Sequence, residues 1–159
     1  MSRDTFDDRF LLLMACGGTK TDAPGCVPAW DRYDGPMFRD LLFHRNQGHV
    51  LPRILILSAL YGLIDCRHEI HKYDQKLTPK RADAIAMVQN HKHTFQTAFA
   101  KAERGVFSVA GVAYENLYVR LAGPGQRYQR EPGGIGLKRQ AMMSFLRQVA
   151  AFNANPTEE

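Results

Sequence analysis

The chain has 159 residues, of which 45% are hydrophobic and 23% charged, so a large disordered or collagen-like segment is excluded and one domain is the expected organisation. No apolar run reaches the length needed to cross a bilayer. Lys and Arg number 21 against 16 Asp and Glu, a net charge of +5, which favours an anionic partner such as nucleic acid.

The first nine residues, Met1 to Arg9, are too acidic for a signal peptide, and a cytoplasmic location is expected. Cys16, Cys26 and Cys66 are odd in number and irregular in spacing, which argues for reduced thiols over a disulfide framework.

In chain order, Phe10–Ala15 is a short apolar run ending at Cys16-Gly17-Gly18, the signature of a strand buried on both faces. Pro36–His44 carries Met37, Leu41 and Leu42 at helical spacing. Arg53–Ser58 is a second buried strand. Thr78 and Pro79 open a long helix predicted to run to Arg104. Gly105–Gly111 is a third strand, Tyr114–Leu121 a short helix and Gly136–Phe152 a final helix. Strands alternating with helices predict an α/β domain over residues 1–152 with a central, mainly parallel sheet. Residues 153–159 read as a flexible tail. Segments 19–33, 59–77 and 122–134 read as loops.

Ligands of open parallel sheets bind beyond the carboxyl ends of the strands, so the loops hold the candidate site. Cys16-Gly17-Gly18-Thr19-Lys20 offers backbone amides, a hydroxyl and a cation, without P-loop spacing. Tyr33 and Phe38 flank the Asp34-Gly35-Pro36 turn and could pack together or stack on a base, with Arg39 beside them. Ser58 ends the second strand, and Tyr61 follows it. Glu69, His71 and Asp74 are possible general bases near Tyr73, and an acidic solvated loop is the plain alternative. His68 and His71 lack a third ligand, so no metal and no cofactor is expected. His91 and His93 read as the polar face of a helix. Between positions 120 and 139, five basic residues, Arg120, Arg127, Arg130, Lys138 and Arg139, stand against Glu131 alone, with Tyr128 among them. That pattern fits phosphate binding with base stacking, or a solvated basic loop.

Taken together, Cys16–Lys20, Tyr33–Phe38, Ile56–Ile64, Tyr73–Leu77 and Gly134–Gly136 resemble, in order, a family of small bacterial and phage domains of unassigned function. The Cys-x-x-Thr-Lys, Ser-x-x-Gly-Leu and Tyr-Asp elements are similar to those of the glycosylase-like domain of archaeosine synthase. The Ser-x-Leu-Tyr-Gly-Leu stretch resembles YaaA-type peroxide-stress proteins, which bind DNA. The resemblance implies a three-layer αβα fold like that of uracil-DNA glycosylases and a nucleobase ligand, although the Gly-Gln-Asp-Pro-Tyr and His-Pro-Ser-Pro loops of those enzymes are missing.

On this basis the expected activity is that of a DNA glycosylase acting on a modified base, such as a hypermodified phage base, in double-stranded DNA. Asp74, then Asp34, are the candidate catalytic carboxylates, and Lys20 is the candidate partner of the departing base. Cys16, Gly17, Gly18, Tyr33, Phe38, Ser58, Tyr61 and Tyr73 would hold the base. Arg127, Arg130, Lys138 and Arg139 would hold phosphates. A DNA-binding stress protein without catalysis, or a base or amino-acid transferase, are the alternatives.

Overall fold

A computed structural model describes residues 4–154. The chain ends that the signal-peptide and tail expectations rest on, residues 1–3 and 155–159, lie outside the described residues.

Strand β1 (Phe6–Ala15) lies at the centre. It pairs in parallel with β3 (Leu51–Ser58) on one side and β6 (Gly105–Ser108) on the other. Gly62–Asp65 forms β4, antiparallel to β3, and Gln129–Arg130 forms β7, parallel to β6. The resulting five-stranded sheet has the order β4-β3-β1-β6-β7. A separate two-stranded ribbon joins β2 (Val27–Pro28) to β5 (Glu69–Ile70).

Alternation along the strands builds two cores. Phe10, Leu12, Met14, Ile54 and Ile56 face one side with Trp30, Leu41, Met142, Phe145 and Leu146. These partners come from α1 (Ala29–Arg32), α2 (Pro36–Asn46) and α6 (Ile135–Ala154). Leu11, Leu13, Leu55 and Leu57 face the other side with Ile85, Phe95, Leu117 and Leu121, supplied by α3 (Pro79–Ala86), α4 (Gln89–Lys101) and α5 (Val112–Ala122). The fold is therefore mixed α/β with a mostly parallel sheet covered on both faces, compatible with the expected three-layer arrangement. Because both faces are covered, strands β1 and β3 read as continuous apolar runs.

The predicted helix from Pro79 to Arg104 is two helices, broken at Met87 and Val88, where Val88 is extended. At about 100° per residue, one continuous helix would aim Ala86 and Phe95 in opposite directions. The break lets both face the sheet. Within the predicted loops lie α1, β2, β4, β5 and β7, all of which are short. Asn153 and Ala154, expected in a loose tail, continue α6, and the Asn153 amide donates to Asp7 Oδ2 at 3.0 Å and Val149 O at 2.9 Å. His91 is not on a plain polar face; its ring lies directly over Gly62.

Candidate functional site

A cavity of about 540 Å³ opens beyond the carboxyl ends of β1 and β6. Four segments wall it: Ala15–Thr19 after β1, Gly35–Phe38 at the start of α2, the turn from β6 into α5, and Pro132–Ile135 with Lys138 at the start of α6. Its faces are largely apolar, from Met37, Phe38, Val109, Val112 and Ile135. The amides of Gly17 and Gly18 donate no hydrogen bond to the described residues, so both donors remain available on the wall. Cys16 Sγ lies 3.1 Å from the Tyr114 hydroxyl. Burial, followed by the Cys16 contact, pushes the Tyr114 phenol well above its ordinary pKa, so it stays protonated at neutral pH.

Beside Cys16 runs a chain of hydroxyls. Tyr73 OH stands 2.7 Å from Tyr33 OH and 2.7 Å from Ser58 Oγ. Ser58 is fully buried at the end of β3 and accepts the Tyr61 amide at 3.0 Å. Burial raises Tyr33 to about 12 and Tyr73 further, so both phenols act as neutral donors and acceptors. Tyr33 packs on Phe38 with ring centroids 5.2 Å apart, which joins this network to the cavity wall.

Of the sequence-derived candidates, Cys16, Gly17, Gly18 and Phe38 line the cavity, while Tyr33, Ser58 and Tyr73 form the network behind it. Tyr61 sits against Tyr73 at 5.6 Å, and its hydroxyl accepts the His71 amide, a bracing role. Lys20 Nζ rests 4.4 Å from the centre of the Tyr73 ring and donates to the Gly17 carbonyl at 3.4 Å, so it braces the wall from behind and does not itself line the cavity. Among the described residues no carboxylate lines the cavity. Asp74 is exposed and makes no ion pair among the described residues. Asp34 is held by Arg39 at 3.0 Å, which keeps its carboxyl below the usual range; its neighbour Gly35 forms part of the rim.

The basic segment divides. Arg127 and Arg130 are exposed and without carboxylate partners among the described residues. Lys138 is buried, and its ammonium donates to the Gly133 carbonyl at 2.7 Å and to that of Glu131 at 2.5 Å. It therefore ties down the turn before α6 and does not extend to a phosphate. Arg139 pairs with Asp40 at 2.7 Å. Tyr128, expected among the arginines as a stacking ring, turns inward and donates to Glu115 Oε2 at 2.6 Å. The cavity residues missed in the sequence are Met37, Val109, Val112 and Tyr114. The signal for Tyr114 was its place in the first turn of the helix that follows a parallel strand, next to that strand's carboxyl end.

A model described as a family of unknown function, DUF6884, matches residues 11–145. The chain belongs to this family. The DUF6884 match runs from β1 into α6 and so includes every segment that walls the cavity. No curated protein and no solved structure matches the chain.

Proposed function

We propose that this DUF6884 protein takes a modified nucleobase of DNA into the strand-end cavity and hydrolyses its N-glycosidic bond. The observation that carries this reading is the cavity, with apolar walls for the faces of a flat ring and free Gly17 and Gly18 amides for its polar edge. A base stacked in a duplex cannot enter such a site, so the nucleotide must flip out. Hydrolysis breaks the bond from C1′ to the base nitrogen, adds water oxygen to C1′ and leaves negative charge on the departing base. Amide donors aimed at that charge lower the barrier. Asp34, one residue from the rim, and Asp74, next to Tyr73, are the carboxylates to which we assign assistance of the water. The resemblance of the sequence motifs to the uracil-DNA-glycosylase-like superfamily supports the same reading, as does the mostly parallel sheet.

Binding without cleavage is the second reading, and the lack of a carboxylate among the described residues of the cavity wall favours it. The test is incubation with plain and modified duplex DNA, followed by mass spectrometry of free bases and alkaline cleavage at abasic sites. Release of a base, lost in Asp34→Asn or Asp74→Asn, supports hydrolysis. Tight binding with no release from any substrate supports the second reading.

Arg127 and Arg130 are the phosphate contacts in either case. Each neutralised phosphate contributes about −0.9 to the slope of log affinity against log salt. Arg127→Ala, at an exposed position that lines neither cavity, should make that slope shallower by about one unit and weaken plain and modified DNA alike. Arg139→Ala should leave the slope nearly unchanged, because its guanidinium already faces Asp40.

A further inference from the structure

A second, smaller cavity of about 200 Å³ adjoins the first, and Val112, Pro132 and Lys138 line both. Glu115 reaches its wall from the first turn of α5 and is 6% exposed. Its Oε2 is taken by Tyr128, whose phenol is kept protonated by burial and by this carboxylate. Its Oε1 is buried and has no hydrogen-bond partner among the described residues. A carboxylate oxygen left without a donor is costly. Lys138 offers the matching donor, since an ammonium has three protons and two are directed at carbonyls.

We propose that this side cavity is a subsite for a hydroxyl-bearing substituent on the base held next door. The inference rests on the nucleobase reading of the larger cavity. At about 200 Å³ the side cavity is below the size of a typical whole-ligand pocket, so it suits an appendage of a larger ligand. A cationic appendage would meet Arg130 and Lys138, and an anionic one would meet Glu115 and Glu131. A neutral hydroxyl donates to Glu115 Oε1 and accepts from Lys138 Nζ, so it satisfies both groups. Glu115 thereby selects a substituted base over its plain parent.

The experiment is calorimetric titration of the full chain with the plain 2′-deoxynucleosides, 5-hydroxymethyl-2′-deoxycytidine and 5-hydroxymethyl-2′-deoxyuridine. A hydrogen bond to a buried charged group predicts that a hydroxymethyl nucleoside binds about tenfold more tightly than its parent. In Glu115→Gln, Tyr128 keeps the amide oxygen and the NH₂ group turns to the cavity, so the preference should vanish while the parent binds as before. Asn116→Leu, an exposed position on the same cavity, should also reduce the preference and guards against misfolding of the first variant. Equal binding of parent and hydroxymethyl forms, or a preference that survives Glu115→Gln in a folded protein, overturns the subsite alone. Binding of none of these nucleosides overturns the nucleobase reading with it.

Discussion

Arg32→Leu is expected to lower the stability of the fold by about 3–5 kcal/mol, through loss of charged hydrogen bonds and exposure of their buried acceptors. Arg32 is fully buried in α1 and has no carboxylate partner among the described residues. Its guanidinium donates to the carbonyls of Thr21 and Ala23 at 2.9 Å, Gly25 at 2.6 Å and Ile70 at 3.5 Å. It therefore gathers the whole segment after Lys20 and ties it to β5. Bonds to a charged donor are each worth about 1.5–3 kcal/mol, but part of that returns when the exposed carbonyls meet water. Arg32→Lys should recover only a fraction, because an ammonium cannot serve carbonyls in a planar fork. Urea unfolding of the three proteins measures the effect. A change below about 1 kcal/mol for the leucine variant would mean that the segment is held by other contacts.

Gly62→Ala should cost about 2–4 kcal/mol, the sum of a left-handed backbone penalty and a steric clash. Gly62 opens β4 with φ of 77°, a region that side chains disfavour. A Cβ there would clash with the His91 ring at Nε2. His91 is itself confined: burial, with Arg81 nearby, pushes its pKa below the ordinary value, and Arg81 holds the preceding turn through the carbonyls of Ala59 and Leu60. The double variant Gly62→Ala/His91→Ala should restore only the steric part, because the backbone penalty remains. Thermal unfolding that shows no loss in the single variant would contradict the close approach of α4 to this turn.

Strands β1 and β3 were legible because each is buried on both faces, so the predicted strands Phe10–Ala15 and Arg53–Ser58 carry the unbroken apolar runs Phe10–Ala15 and Ile54–Leu57. The break at Met87–Val88 was not, since no Gly or Pro marks it and it arises from the need to re-aim two helix faces. The ribbon and edge strands β2, β4, β5 and β7 are only two to four residues long, too short for periodicity to register. Cys16, Gly17, Gly18 and Phe38 were found through the rule that ligands gather at strand ends. Lys138 was misplaced because a charge in sequence says nothing of the carbonyls that the α6 turn folds around it. Glu115 and Tyr128 were missed as a pair because 13 residues, the rest of α5 and the loop after it, separate them.

The central claim is that the strand-end cavity receives a base, and its most direct test is a methyl NMR titration. Met, Val and Ile methyl groups are labelled, and short DNA duplexes with plain or hydroxymethylated bases are added. The account predicts shifts concentrated at Met37, Val109 and Ile135, larger for modified DNA, with Val112 moving most when a substituent is present. Shifts confined to methyl groups outside the cavity, with Met37, Val109 and Ile135 unchanged at saturation, would contradict it.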